Sequence, residues 1–330
     1  MRPGRPCSTL LAGLLVLGLA GCEEPPPPAP PPVERPEPPP PPAPAPRPKA
    51  EPAEPAPQVS TESLLLREYY RRVQADLLAQ GLLRGDVGGP DSPYTDTMLA
   101  RDFIQIALFD EFVPGTGLPP ADAQSARLRR WDGPIRMETT FGRSVPAEQP
   151  AQDLASIRAY ASRLSKLTGV PISVNDPDAG AANFHILILS EDDRKNFGPQ
   201  LRDIVPGIAE SSVRAFLNLP RDQFCLAIAA AKGDSTAYDQ VVVLIRAEHP
   251  ELLRTVCIHE ELAQGMGLAN DSEQARPSIF NDDQEFARLT THDELLLRIL
   301  YDPRLRTGMT IDEATPIVQT IAAELVGGPV

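Results

Sequence analysis

The chain has 330 residues, 39 of them proline, with a formal net charge of −14 at neutral pH and an isoelectric point near 4.8. This acidity argues against nucleic acid as a partner, because a phosphate backbone needs a basic protein surface. It also disfavours electrostatic binding to anionic lipid. The length leaves room for two domains, but the many prolines reduce the part of the chain that can form a core.

The N-terminal 22 residues have the features of a bacterial lipoprotein signal. Arg2 and Arg5 give a charged start, residues 10–19 form a short apolar segment, and a lipobox with the sequence L-A-G-C ends at Cys22. We therefore predict a signal peptide over residues 1–21 and lipidation of Cys22. The protein would face the periplasm from the bacterial cell envelope, with a mild preference for the outer membrane. An ordinary secretory signal or a short membrane anchor is the alternative.

Residues 22–58 contain 19 of the prolines, together with alanine, glutamate and little else. Such a segment has almost nothing to bury, so we predict a disordered tether rich in polyproline II structure. At ~3.1 Å per residue, its reach is on the order of 100 Å. A proline-rich ligand for a partner protein is the alternative interpretation.

Two helices are predicted in a helical segment that spans residues 59–115. Apolar residues recur at a near-helical period over residues 60–83 and again over residues 95–112. The Gly- and Pro-containing stretch 85–93 interrupts the pattern between them. This segment is interpreted as an extension that packs on the main domain.

Residues 130–330 alternate between strand and helix patterns, which predicts an α/β (α+β) domain. Strands are predicted at residues 135–141, 171–174, 184–189, 224–230 and 241–245. Helices are predicted at residues 154–167 and 211–217, from Pro250 onward, and at residues 291–301 and 311–325. Thr291 and Glu294 have the spacing of a capping box at the start of the fourth of these helices.

Cysteine usage agrees with export. Cleavage of the signal removes Cys7 and lipidation uses Cys22, which leaves Cys225 and Cys257 as an even pair. In an oxidising periplasm we predict a disulfide between them, joining a strand to the start of a helix. Two buried free thiols are the alternative, because a sequence does not show that two Cα atoms approach.

Residues 255–271, with the sequence T-V-C-I-H-E-E-L-A-Q-G-M-G-L-A-N-D, carry the clearest motif of the chain. Read from His259, the run fails as the zinc-peptidase motif H-E-x-x-H, because Ala263 occupies the place of the second histidine. Read from Glu260, it has the spacing H-E-x-x-H-x-x-G-x-x-H-D. Helix geometry favours this second frame, since Glu260 and Gln264 then share one polar face.

In the second frame, half of the motif is kept. The catalytic glutamate, the glycine and the final aspartate are retained as Glu261, Gly267 and Asp271. The three ligand histidines are replaced by Glu260, Gln264 and Asn270. The run therefore resembles the metzincin signature in spacing, with its metal ligands changed.

Two further stretches resemble metzincins of the matrixin type. The sequence P-S-I-F at residues 277–280 stands where that family places its methionine turn, with Ile279 instead of methionine. Residues 289–301 are similar to the family's closing helix, and the predicted order of strands and helices is also the family's order. The resemblance implies a metzincin-like zincin domain, with a mixed sheet, a signature helix and a closing helix.

Over residues from about 95 to 325, the chain also resembles a family of bacterial envelope lipoproteins of unknown function. That family carries the run C-I-H-E-E-L-x-Q-x-x-G-L-x-N-D, which is present here at residues 257–271. This resemblance supplies no activity.

The metzincin resemblance implies that Glu260, Gln264 and Asn270 converge, with His259 and Asp271 as alternate ligands. Oxygen donors of this kind suit Zn²⁺ badly and hold Ca²⁺, Mn²⁺ or Mg²⁺ weakly. The favoured interpretation is a hydrogen-bonded polar site in a domain that has lost catalysis. No tightly bound cofactor is expected, and a weakly held divalent metal is the alternative.

The remaining histidines are interpreted as structural. His185 is assigned to a buried strand, His249 to a helix cap and His292 to an exposed or structural place in the closing helix. A metal site of His259, His292 and Asp271 is a further alternative. The acidic run at residues 281–285 lacks the spacing of an EF-hand and is interpreted as a solvated loop.

Two functional hypotheses follow. The first is a non-catalytic binding or scaffold module that is anchored to the membrane by lipid and holds a peptide or an envelope protein in its cleft. The second is a divergent metal-dependent hydrolase acting on peptide bonds, with Glu261 as general base. The missing histidines favour the first hypothesis.

Overall fold

The computed structural model describes residues 59–110 and 125–327. The predicted signal peptide, the lipidated Cys22 and the proline-rich tether lie outside these residues, as does the end of the predicted 59–115 segment. The described residues form a mixed α/β fold with one five-stranded mixed sheet and nine α-helices. The predicted fold class is confirmed at this level.

All five predicted strands are present. They are β1 (Ile135–Phe141), β2 (Ile172–Val174), β3 (Phe184–Leu189), β4 (Cys225–Ala231) and β5 (Tyr238–Arg246). The sheet order is β2-β1-β3-β5-β4, in which only β4 runs antiparallel to its neighbour. Within the described residues, β4 pairs with β5 alone and is therefore an edge strand.

The helices surround this sheet. They are α1 (Thr61–Ala79), α2 (Asp96–Ala107), α3 (Gln149–Thr168), α4 (Glu191–Arg194), α5 (Gly198–Ile204), α6 (Glu210–Leu217), α7 (Glu251–Gln264), α8 (Thr291–Leu300) and α9 (Ile311–Gly327). The short helices α4 and α5 are not predicted by the sequence pattern. In the described part of the chain, no helix has the length and apolar character needed to span a membrane.

The sheet separates two apolar cores, because its central strand β3 is buried on both faces. Phe184, Ile186 and Ile188 point into the larger core, which α2, α3, α7, α8 and α9 complete. Leu187 and Leu189 point into a smaller core under α5 and α6. The alternation follows from the two-residue period of a strand. Helix α7 is thereby held on one face of the sheet, beside β4 and β5.

The capping box of α8 lies one residue earlier than predicted. Thr290, not Thr291, is the N-cap, and its side chain pairs with Asp293 rather than Glu294. Glu294 instead accepts a hydrogen bond from Arg163 at 2.9 Å. The sequence offers two adjacent threonines and two adjacent acids, and burial of Thr290 and Asp293 selects the first of each pair.

Helix α1 packs on the body through buried polar groups as well as apolar ones. Ser63 Oγ donates a hydrogen bond of 2.6 Å to Glu248, and Tyr70 Oη donates one of 2.9 Å to the carbonyl of Arg221. His249, predicted as a helix cap, is instead buried with its ring against Tyr70, and Pro250 is the N-cap of α7. The helical extension and the sheet region therefore share buried surface.

The two cysteines that were predicted to pair are joined in a disulfide. Cys225 begins β4, Cys257 lies in α7, and their Cα atoms are 5.8 Å apart. The bond fixes the edge strand against the middle of α7.

Candidate functional site

A cleft of about 240 Å³ lies between β4 and the C-terminal half of α7. Its floor on α7 consists of Glu260, Glu261 and Gln264. Its wall on β4 includes Cys225, Leu226 and Ala227. The chain that follows α7 closes the cleft with Asp271, Asp282 and Gln284. Four of the residues predicted for catalysis or metal binding therefore meet in one cleft: Glu260, Glu261, Gln264 and Asp271.

The helical period of α7 determines the face on which each of its three polar cleft residues lies. Glu260 and Gln264 are one turn apart and share a face, and Glu261 lies beside Glu260. Glu261 is 4% exposed and Gln264 is 8% exposed, so both side chains are almost enclosed by the cleft. The apolar residues Ile258 and Leu262 of the same helix face the core, as the second reading frame predicts.

Asp271 has a strongly perturbed carboxyl group in the cleft. Burial raises its pKa to about 7, and the negative charge of Asp282 adds to the effect. The pKa of Asp282 is raised as well, by burial and by its acidic neighbours Glu273 and Asp283. Neither shift has a cation among its causes.

Two oxygen atoms of the cleft are buried acceptors without a donor among the described residues. They are Oδ1 of Asp271 and Oε1 of Gln284, and neither has a hydrogen-bond partner there. Buried polar atoms are nearly always paired in folded proteins, because an unmet acceptor costs about 1–3 kcal/mol. A donor to these two oxygens would therefore have to come from outside the described residues.

Asn270 does not join the cleft, contrary to the expectation that it converges with Glu260 and Gln264. Its Nδ2 donates a hydrogen bond of 2.9 Å to the carbonyl of Gln105, and its main-chain N donates one of 3.0 Å to the carbonyl of Ile106. Asn270 thus ties the segment after α7 to the end of α2. The convergence of three substituted ligand positions is not found.

His259 also lies outside the cleft lining. Its ring stacks on Tyr160 with centroids 4.0 Å apart, and its Nδ1 accepts a hydrogen bond of 3.1 Å from the main-chain N of Leu289. Burial, together with the positive charges of Arg163 and Arg288, lowers its pKa to about 3. His259 is a neutral packing residue between α3 and the start of the α8 region.

His292 is buried without exposed surface and contacts two carboxyl groups. Its Nε2 lies 3.2 Å from Asp102 of α2, and its Nδ1 lies 3.7 Å from Asp293. The pKa of His292 is raised by these two carboxylates against the effect of burial. The alternative set of His259, His292 and Asp271 is not brought together. Across the described ranges, no three His, Cys, Asp or Glu side chains could hold a metal ion.

The stability of the protein is expected to fall as pH rises above neutrality, because of His292. A histidine whose pKa is raised on folding stabilises the folded state fully below its unfolded value of about 6.5, and loses that effect as pH rises through the folded value. A tenfold difference in proton affinity between the folded and unfolded states is worth about 1.4 kcal/mol. Urea denaturation between about pH 6 and pH 9 measures the decline.

The variant His292→Gln should make this decline smaller, and the part that remains near pH 6–7 is expected from Asp271, whose pKa is also raised on folding. His185→Gln is the matched control, because burial lowers the pKa of His185 and its removal leaves the decline in place. An identical pH dependence in the wild type and in His292→Gln would contradict the assignment.

Sequence reasoning did not identify Asp282 and Gln284 as cleft residues. Both were assigned to a solvated acidic loop, and both also line the cleft, where Asp282 is exposed and Gln284 is half-buried. The side-chain amide of Asn281 fixes the fold by donating to the carbonyls of Glu273 and Ala275 at 3.3 and 3.0 Å. The acidic run at residues 281–285 was the sequence signal for these cleft residues. Its position in the structure depends on contacts with residues outside the run, which the run itself does not predict.

A larger open pocket, of about 700 Å³, lies over β1 and the start of β3. His185, predicted as a buried sheet residue, lines it and stands 3.7 Å from Glu138. Charges of both signs line this pocket, including Arg136 and Asp176. We regard the smaller cleft as the candidate site because it contains the signature residues of α7 and, among the described residues, two buried acceptors without a donor.

Comparison with protein families gave one match. Residues 96–320 match the model described as protein of unknown function (DUF2927). Curated proteins and solved structures gave no match. The family match agrees with the predicted resemblance to a family of unknown function. Because it covers more than half of the chain, the protein belongs to the DUF2927 family.

Proposed function

We propose that this protein is a lipid-anchored module of the bacterial cell envelope that holds an extended polypeptide in the cleft along β4 without cutting it. The lipobox that ends at Cys22 and the proline-rich residues 22–58 support the anchoring. The acidity of the chain supports a protein partner over nucleic acid.

The edge position of β4 carries the binding part of the proposal. Within the described residues β4 pairs only with β5, so its outer side offers main-chain donors and acceptors to another strand. Extended peptides bind other proteins by adding a strand to such an edge. Ala227 lines the cleft and Ala229 is exposed, so small side chains leave room for a peptide main chain.

The metzincin resemblance supports the same location. Helix α7 carries the altered signature as the cleft floor, and residues 277–280, which resemble the family's turn in sequence, are buried. The side chain of Asn270 is bonded to α2, so the replaced ligand positions do not form one set of donors. The residues present therefore do not fit a metal ion, which favours binding over metal-dependent hydrolysis.

One observation favours the hydrolase hypothesis. Glu261, which occupies the place of the catalytic glutamate, lines the cleft and is 4% exposed. Enclosure of this kind is common for a general base. Cleavage of a bound peptide that Glu261→Gln abolishes, together with one equivalent of a metal in the purified protein, would support this second function.

The proposal is tested by hydrogen–deuterium exchange of residues 225–231 in the full chain. The probe is a mixture of random decapeptides with acetylated and amidated ends. We expect the peptides to slow exchange of the outward-facing amides of β4, because each newly paired N–H is protected. Mass spectrometry of the recovered peptides should show them intact.

Ala227→Phe should abolish the slowing, because a phenyl ring at this position fills the cleft. Ala231→Phe is the matched control: it adds the same ring to an exposed position of the same strand, outside the cleft lining, and should leave the slowing intact. Exchange that is unchanged by peptides in the wild type would overturn the proposal.

A further inference from the structure

We infer that Tyr70 and Gln74 of helix α1 are positioning residues for the peptide cleft, which hold two of its walls in place without lining it. This inference rests on the proposed function, because it names residues that set the affinity of the cleft for a polypeptide on β4. No residue of α1 is among the described residues that line the cleft. An effect of α1 on binding therefore has to act through its contacts with the walls.

One face of α1 packs against both elements that form the cleft. Its apolar residues recur at the helical period and share one apolar cluster with the start of α7 and with the residue before β4. The members used here are Leu66, Tyr70, Val73, Leu77, Leu253 and Phe224. Helix α1 therefore contacts α7 and the entry into β4 at the same time.

Tyr70 holds the chain that leads into β4. Its Oη donates a hydrogen bond of 2.9 Å to the main-chain carbonyl of Arg221, and its ring lies edge-on to the ring of Phe224, with centroids 6.0 Å apart. Residues 222–224, which directly follow Arg221, line the cleft. The phenol group is thus bonded to the main chain one residue before this wall begins.

Gln74 supplies an acceptor that the first turn of α7 lacks. The N-cap of α7 is Pro250, which makes no side-chain hydrogen bond to that turn, and the first N–H groups of a helix have no acceptor within the helix itself. Gln74 Oε1 accepts a hydrogen bond of 3.3 Å from the main-chain N of Leu253, a residue without exposed surface. Gln74 therefore fixes the start of the helix that forms the cleft floor.

The chain that follows α1 holds a third part of the lining. The main-chain N of Leu83 donates to the carbonyl of Gln284 at 2.9 Å, and the main-chain N of Ala287 donates to the carbonyl of Arg84 at 2.8 Å. Gln284 lines the cleft. Only residues 80–82 separate α1 from Leu83, so a displacement of α1 would be passed on to this pairing.

These contacts complement the disulfide between Cys225 and Cys257. A single cross-link fixes the distance between two elements at one point and leaves them free to rotate about it. Arg221 and Leu253, which α1 contacts, each lie four residues before one of the two cysteines. A wall that is held at two points loses less conformational freedom on binding, so the affinity of the cleft should depend on α1.

Hydrogen–deuterium exchange of the full chain tests the inference, with the blocked random decapeptides as the probe. Without peptide, we expect Tyr70→Phe to speed exchange in residues 221–227 and Gln74→Ala to speed it in residues 251–257. In both variants, the peptide concentration that gives half of the slowing in β4 should rise about threefold or more, which is the scale of one lost hydrogen bond.

Each variant has a matched control in the same segment. Tyr69→Phe removes the same hydroxyl group from the neighbouring tyrosine, which makes no side-chain hydrogen bond among the described residues. Gln80→Ala removes an exposed amide that donates to the carbonyl of Asp76 in α1 itself. Both controls should leave the exchange of the walls and the required peptide concentration unchanged. Thermal unfolding of all four variants checks that the fold is intact.

A reciprocal effect distinguishes positioning from general stabilisation. If α1 sets the affinity of the cleft, bound peptide must in turn stabilise the seating of α1, because coupling between two sites acts equally in both directions. We therefore expect the peptides to slow exchange of residues 66–79 in the wild type. A helix that only stabilises the fold would gain no such protection.

The outcomes separate the inference from the proposed function. Unchanged exchange of the walls in both variants would overturn the positioning roles while peptide binding stands. Faster exchange with an unchanged peptide concentration would overturn them as well, as would α1 exchange that peptides do not slow. Peptides that leave the exchange of β4 unchanged in the wild type would overturn the proposed function, and with it the inference that rests on it.

Discussion

Replacing Asp293 by alanine is expected to lower the free energy of unfolding by about 3–5 kcal/mol. This carboxylate has no exposed surface and accepts hydrogen bonds from Ser278 Oγ at 2.6 Å, Ile279 N at 3.1 Å, Thr290 N at 2.9 Å and Thr290 Oγ1 at 2.8 Å. It also faces the ring of His292. The substitution leaves several buried donors unmet at once, and each carries its own desolvation penalty.

Denaturation in urea measures the loss, with the midpoint and slope compared between variants. Asp312→Ala is the matched control, because Asp312 is exposed in the first turn of α9 and its removal should change stability by less than about 0.5 kcal/mol. Asp293→Asn should fall between the two, since an amide keeps one acceptor oxygen and loses the charge. A loss below about 1 kcal/mol for Asp293→Ala would contradict this account of the network.

The double variant Cys225→Ser/Cys257→Ser is expected to lose about 3–4 kcal/mol of stability. The disulfide closes a loop with a sequence separation of 32 residues, and such a cross-link restricts the unfolded chain. Peptide binding should weaken as well. Cys225 lines the cleft, and Cys257 lies one turn before Glu261 in α7, so the bond holds the wall against the floor.

The unfolding midpoints of oxidised and reduced wild-type protein should differ by as much as those of oxidised wild-type protein and the double variant. The double variant is its own control for the reagent, because a reductant should not change its midpoint. Equal midpoints for oxidised wild type and the double variant would show that the cross-link does not restrict the unfolded chain as argued. Retained stability with weakened peptide binding would separate the role of the bond in shaping the cleft from its role in folding.

The sequence predicts the strands well because their apolar character is local. The apolar run at residues 186–189 of β3 indicates burial on both faces of the sheet. The predicted start of β5, residue 241, lies only three residues after the observed start at Tyr238. Helices α4 and α5 escape prediction because they are short and mostly polar in sequence. Ser190 caps α4 and Pro199 lies in the first turn of α5, so both are specified by end signals and not by an apolar period.

In the candidate site too, the residues whose positions depend on local sequence are predicted, and those that depend on distant contacts are not. Glu260, Glu261 and Gln264 are placed correctly in one cleft because helix periodicity alone fixes their faces. The position of Asn270 is not local, since it follows Gly267, which turns the chain at a φ of 123°. A Cβ atom there would lie 2.4 Å from the carbonyl oxygen of Arg129, so glycine is required for the close approach. The spacing of residues in the sequence does not predict the direction of the chain after such a turn.

The way helix α1 is seated has a consequence for relatives of this protein. The family match begins at residue 96, after α1 has ended, yet Ser63 of this helix donates a hydrogen bond to the buried Glu248, and the ring of Tyr70 packs on His249. In a homologue that had lost this helix, the carboxyl group at position 248 and the imidazole at position 249 would lose these partners and become exposed. Positions 63, 70, 248 and 249 should therefore have been gained and lost together during the divergence of the family.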